Sequence, residues 1–170
     1  MEEFKRLDDI TQPDERHGLL GALTGMHLSL EGLYSVVEKI ELNQSVPVEL
    51  RRQFNVARNL TLYTWFSYSL DPVAQLKSYI LIEHALNIKD GNRDRSLKKM
   101  LQRAVSEGWL LDSGFRHVTF DPKEPQKYCN SLVETLPSLR NEAAHGSNML
   151  SQSAVSHLQI CADFINQLFK

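Results

Sequence analysis

Residues 132–150 read LVETLPSLRNEAAHGSNML, and within them Arg140-Asn141-Glu142-Ala143-Ala144-His145 is closed by Gly146. On a helix, Asn141 and His145 stand four residues apart and stack on one face. Arg140 is five residues from His145, roughly 140° round the axis at ~100° per residue, so it points to a neighbouring face. Gly146 is placed to take the left-handed C′ position, which puts His145 in the last helical turn. A cation, an amide and a titratable imidazole gathered at one helix end can grip a phosphate and move a proton.

The flanking segments are helical in pattern. From Pro125 a helix carries Tyr128, Leu132 and Val133. Pro137 lacks a backbone donor and disfavours helix at Leu136. The sequence therefore predicts a break there, with Thr135 or Leu136 entering a short, independently angled helix that bears the motif. After a Ser/Asn-rich link, Ser151 or Ser153 begins a last helix with Val155, Leu158, Ala162, Ile165 and Phe169 inward.

Towards the N-terminus, residues 1–16 are charged and aperiodic, a loose lead-in. Leu19, Leu23, Met26, Leu30, Leu33, Val37 and Ile40 alternate by four and three, which predicts one helix with a continuous apolar seam. Beside it runs a row of small residues, Gly18, Gly21, Gly25, Ser29 and Gly32. Glycine in a helix costs about 1 kcal/mol relative to alanine. Such a row suits close approach of another helix, from within the chain or from a second copy.

Ser45-Val46-Pro47 opens a second helix, expected to run to about Ser69 with Leu50, Phe54, Ala57, Leu60, Tyr63, Trp65 and Phe66. Arg58 precedes its apolar half, at the edge of the core or aimed into a site. Asp71-Pro72 opens a third, antiparallel helix with Val73, Leu76 and Ile80 as its core row. The next position in that row is Glu83. A carboxylate there is either partly buried, with Arg140 or Arg58 as its cation, or rolls out to water. His84 beside it reads as a helix-surface or core residue.

Asp90-Gly91-Asn92 is a turn, and Asp94 is placed to cap a fourth helix that ends at Gly108. Leu97, Met100, Leu101 and Ala104 face inward; Arg95, Lys98, Lys99 and Arg103 line the outer face. Such a basic strip is ordinarily solvated surface, and in an RNA-binding protein it would hold phosphates. Residues 109–124, WLLDSGFRHVTFDPKE, have no helical period. They read as a long ordered loop tacked down by Trp109, Leu110, Leu111 and Phe115, its Arg116-His117 pair lacking a helical frame. The sum is an all-α, up-down bundle of about five to six helices in a single domain spanning 1–170.

Composition narrows the function. The chain is 42% apolar and 24% charged, with a net charge of −2, which argues against coating nucleic acid by bulk charge but not against a local RNA site. Cys129 and Cys161 lack metal or redox spacing, and the chain reads as a cytoplasmic protein with reduced thiols. No apolar run approaches ~20 residues, so no membrane span is expected. There is no Walker loop, GxGxxG, HExxH, GxSxG or zinc-ligand cluster, so neither metal nor cofactor is expected.

The run PSLRNEAAHG, preceded by an aromatic-rich helix and an acidic one, resembles the Arg-x(4–6)-His signature of the HEPN (higher eukaryotes and prokaryotes nucleotide-binding) superfamily. Many members have a polar residue directly after the arginine, as Asn141 is here. The resemblance implies an all-α domain that dimerises so that two motifs face each other. In active members it implies a metal-independent RNA endonuclease, often a toxin or phage-defence protein kept beside an antitoxin or other regulatory partner. Arg140 would then hold the phosphate, His145 would transfer the proton, Asn141 would orient the imidazole or touch phosphate, and Glu83 would support Arg140. The competing expectation is a catalytically inactive module of the same build that binds a protein partner, a nucleotide or RNA, with Arg140, Asn141 and His145 as a structural network in which Arg140 pairs with Glu83 and Asn141 with the backbone.

Overall fold

A computed structural model describes residues 3–25, 28–92, 94–145 and 153–170, and every described regular element is helical. The α-helices are α1 (Glu15–Thr24), α2 (Leu30–Val37), α3 (Val48–Tyr63), α4 (Asp71–Asp90), α5 (Leu97–Ser106), α6 (Lys127–Ala144) and α7 (Ala154–Leu168). Single 3₁₀ turns lie at Leu7–Asp9, Tyr68–Leu70 and Asp112–Gly114. The all-α expectation holds, and no described helix is long and apolar enough to cross a membrane.

Helix α4 is the spine. Ala74, Leu81, Ile82, Ala85 and Leu86 are buried along it against α3, α6 and α7. Lys77 donates to Gln53 at 2.6 Å and His84 pairs with Glu49 at 3.4 Å, which sets α3 antiparallel to α4. Ala154 N–H donates to Asp71, and Cys161 Sγ–H to the Ser78 carbonyl; both pairs are separated by 83 residues, so α7 runs parallel to α4. Helix α6 packs antiparallel to α5, through Lys98 with Glu134 and Gln126 with the Val105 carbonyl. Near the end of α5, Arg103 still reaches Asp90 at 2.7 Å, so α5 turns aside from α4 instead of folding back along it.

Three buried aspartates fasten helix starts from a distance. Asp112, in the 109–124 loop, accepts from Tyr128 and Cys129 N–H at 2.8 and 2.9 Å, capping α6. Asp71 accepts from Ala154 N–H at 3.1 Å and so caps α7. Asp14 caps α1 through Arg16 N–H and also accepts from Tyr68 N–H at 2.8 Å. Backbone N–H groups at helix starts have no intrahelical partner, so each such acceptor ties two segments together.

Several local expectations are corrected. The seam from Leu19 to Ile40 is not one helix. Gly25 takes φ 69°, which ends α1, and Leu19 and Leu23 stay 63% and 84% exposed. A left-handed glycine stops a helix more cheaply than a glycine row can continue it. A Cβ added at Gly18 or Gly25 would meet no atom within 4 Å, so the row is not an internal helix contact at those positions. Met26 lies outside the described residues.

The lead-in is partly tied down: Asp14 is buried and Lys5 donates to the Phe66 carbonyl. Helix α3 ends at Tyr63, earlier than expected, and α5 begins after Ser96 instead of Asp94. On α4, Val73 and Ile80 are exposed, and the core row is Ala74, Ser78, Leu81 and Ala85. Contacts on three sides of the helix, not one stripe, decide which row is covered.

Pro137 does not break α6, which runs unbroken from Lys127 to Ala144. The proline costs about 3 kcal/mol in a helix interior. Burial of Leu132, Val133 and Leu136 just before it offsets this, at roughly 1.5–3 kcal/mol per large apolar side chain. The motif is therefore rigidly coupled to the preceding turns. As expected, residues 109–124 form an ordered loop with Leu110 and Phe115 buried, while Leu111 stays 37% exposed.

Candidate functional site

Arg140 lies in the penultimate turn of α6, facing α4. Its Nε donates to Glu83 Oε2 at 3.1 Å, and the two side chains are 34% and 29% exposed. Of the two cations that the sequence offered to Glu83, Arg140 is the one that meets it. Arg58 instead donates to Asn55 and to the Glu38 carbonyl.

Arg140 Nη1 also donates to Asn141 Oδ1 at 3.3 Å. A guanidinium has five N–H donors, so these contacts leave others facing outward. His145 is the C-cap of α6, its N–H donating to the Asn141 carbonyl at 3.0 Å and its imidazole exposed. The expected role of Gly146 lies outside the described residues.

Next to this group, and unforeseen from the sequence, is a ring cluster. Tyr79 stands one helical turn before Glu83 on α4 and meets the edge of His157 at 5.4 Å. Burial, reinforced by the negative charge of Glu142, raises the Tyr79 hydroxyl above its usual pKa. His157 Nδ1 lies 2.9 Å from the Ser153 carbonyl, which assigns the proton to Nδ1. No local motif marks this pair, since its two rings come from different helices, α4 and α7.

The basic strip is largely committed. Arg95 and Arg103 both pair with Asp90, and Lys98 pairs with Glu134 at 2.6 Å, while Lys99 is exposed. Arg103 also lies over Trp109, 5.2 Å from the ring centroid. In the loop, Arg116 is held by buried Asp163 at 3.0 Å, and His117 packs edge-on to Phe115 and Tyr128.

Cys129 and Cys161 are unpaired and buried. Burial pushes both thiols well above their usual pKa, and at Cys129 a hydrogen bond and charge from Asp112 add to the effect. Neither is suited to be a thiolate nucleophile. Among the described residues no group of three His, Cys, Asp or Glu side chains is arranged to hold a metal ion.

The arrangement therefore presents a guanidinium steadied from behind by a carboxylate, an amide against it and an open imidazole at the helix end. Chemically it can bind an anionic oxygen and exchange a proton. Compared with protein-family models, curated proteins and solved structures, the chain matches none.

Proposed function

We propose that the protein is a HEPN-like, metal-independent endoribonuclease whose composite site forms when two copies bring their α6 ends together. The observation carrying this reading is the Glu83–Arg140 pair, which fixes the guanidinium while leaving donors outward, beside Asn141 and an exposed His145. The ribose 2′-OH attacks the adjacent phosphorus, giving its proton to an imidazole. The P–O5′ bond breaks, and the leaving oxygen takes a proton from a second group. One copy supplies one motif histidine; the facing copy supplies the other. Arg140 holds the phosphate oxygens as their charge builds in the pentavalent transition state. Lys99, with the partly committed Arg95, Lys98 and Arg103, offers a basic surface for RNA backbone.

On this reading the protein works in a cytoplasm, restrained by an antitoxin or other regulatory partner. The test is cleavage of cellular RNA in the presence of EDTA by wild type beside His145→Ala. Wild type alone should yield 2′,3′-cyclic phosphate ends. Equal cleavage by both proteins would remove His145 from the mechanism.

A second reading rests on the same pair: Arg140 spends Nε and Nη1 on internal partners, as a structural tie between α4 and α6 does. The protein is then a catalytically inactive module that binds a protein, a nucleotide or RNA. Absence of cleavage by a folded, dimeric wild type would favour it.

A further inference from the structure

Residues 17–25 read HGLLGALTG, a stretch with no Asp, Glu, Lys or Arg. A helix on a protein surface ordinarily carries a polar face, and one without it belongs under cover. Most of this stretch lies in α1, yet His17 is the one buried residue of that helix, and α1 is packed along no other described helix. It is anchored at its start. Asp14 N–H donates to the Trp65 carbonyl, the Asp14 carboxylate accepts from Tyr68 N–H, and His17 Nε2 lies 3.0 Å from the Thr64 carbonyl. Beyond that anchor Leu19 and Leu23 stand out in solvent. Before it run Phe4, Leu7 and Ile10, all more than half exposed, on an arm that Lys5 ties to the Phe66 carbonyl.

The same helix borders a hollow. An open cleft of about 610 Å³ runs along Gly18, Gly21 and Gly25, with Pro13, Leu28 and Trp65 among its walls. A Cβ added at Gly18 or Gly25 would meet nothing within 4 Å among the described residues. Leu19 and Leu23 stand about 100–140° round the helix axis from Gly18, beside the hollow and not in it. Protruding leucines next to a cleft that would accept them make a surface complementary to itself. About a two-fold axis, each copy's leucines enter the other's cleft.

The area agrees with a dimer. Taking ~200 Å² for a whole phenylalanine and ~100 Å² for a whole aliphatic side chain, the exposed parts of Phe4, Leu7, Ile10, Leu19 and Leu23 come to roughly 500 Å² of apolar surface. A homodimer interface of standard size takes ~800 Å² from each partner, about 65% of it apolar, which is the same amount. The charge excludes nucleic acid. Residues 3–25 hold five acidic against three basic residues, and the cleft has Asp14 and Glu15 but no lysine or arginine on its walls.

We propose that the N-terminal arm and α1 form the contact with a second copy of this chain, Leu19 and Leu23 of each seated in the glycine-floored cleft of the other. The inference goes beyond the ribonuclease reading and is tested by mass, not by cleavage.

The test is sedimentation velocity of the full chain over a dilution series, with far-UV circular dichroism as the check on folding. Wild type should be a dimer that dissociates reversibly. Leu23→Glu should weaken it about a hundredfold or more, since the two-fold axis removes two buried leucines at once. Gly18→Leu, whose added side chain has open space in the single chain but fills the cleft, should weaken it at least tenfold. Both positions are open in the single chain, so both variants should keep the wild-type helical content. Phe120→Glu, at a half-exposed position in the 109–124 loop, should leave the dimer unchanged. A wild type that stays monomeric throughout would overturn the proposal and leave the face to a different protein. A dimer that either α1 variant leaves intact, or that Phe120→Glu weakens equally, would overturn it by placing the contact elsewhere.

Discussion

Removing the carboxylate of Asp112 should destabilise the whole protein, because it caps from a distance the helix that carries the motif. Asp112 is 3% exposed and accepts from Tyr128 and Cys129 N–H at 2.8 and 2.9 Å. In Asp112→Ala both donors lose a charged acceptor, and hydrogen bonds to charged groups contribute about 1.5–3 kcal/mol each. Water can reach the half-buried Tyr128 end and recovers part of this, while Cys129 is fully enclosed. The expected loss is about 3 kcal/mol, towards the upper end of loss-of-cap effects. Asp112→Asn keeps one acceptor oxygen and should lose about half as much.

The same site predicts a pH dependence. Burial alone would raise the Asp112 pKa; the hydrogen bonds from Tyr128, Cys129 and Lys127 outweigh it and hold the carboxyl below its usual value. A carboxyl whose folded pKa is depressed stabilises the fold above its unfolded pKa of about 3.9. That contribution is lost as pH falls from this value through the folded one. Urea unfolding followed by far-UV circular dichroism should therefore show the gap between wild type and Asp112→Ala near neutral pH, narrowing in acid. A loss below about 0.5 kcal/mol, or a gap that does not change with pH, would refute the reasoning.

Three further outcomes are expected. Pro137→Ala should stabilise the protein by roughly 1–2 kcal/mol in thermal or urea unfolding, because it restores a donor inside α6 and the lost proline rigidity of the unfolded chain offsets only part of the gain; a fall in stability would show that the ring's packing matters more than the missing bond. Arg140→Lys should change stability by less than about 1 kcal/mol, since the pair with Glu83 is one-third exposed, yet reduce any RNA cleavage tenfold or more by losing the planar fork. Comparable losses in both readouts would point to a purely structural pair. Cys129 and Cys161 should resist Ellman's reagent near neutral pH and react together once denaturant exposes them; rapid labelling of the native protein would contradict their burial.

The sequence by itself determined that the elements are helices. Periodicity of three and four, Pro47 and Pro72 at helix starts, and turn residues at Asp90-Gly91 locate the start of α3 and both ends of α4 to within a few residues, and periodicity alone locates α7. It also located the candidate motif and singled out Glu83 as a carboxylate in an apolar row, leaving open whether it met Arg140, Arg58 or water; the packing of α6 on α4 decided for Arg140. Tertiary structure decided what local pattern could not. Whether Pro137 breaks α6 and whether Leu19–Ile40 is one helix are contests between a local cost and burial elsewhere. Burial won at Pro137, whereas a Cβ at Gly18 or Gly25 would meet nothing within 4 Å among the described residues, so no contact there opposes the left-handed turn. The long-range caps by Asp14, Asp71 and Asp112 and the His17 Nε2 bond to the Thr64 carbonyl join residues about 15 to more than 80 positions apart. No spacing rule encodes such pairs, since they exist only once the helices have packed and backbone donors at their starts need acceptors from another segment.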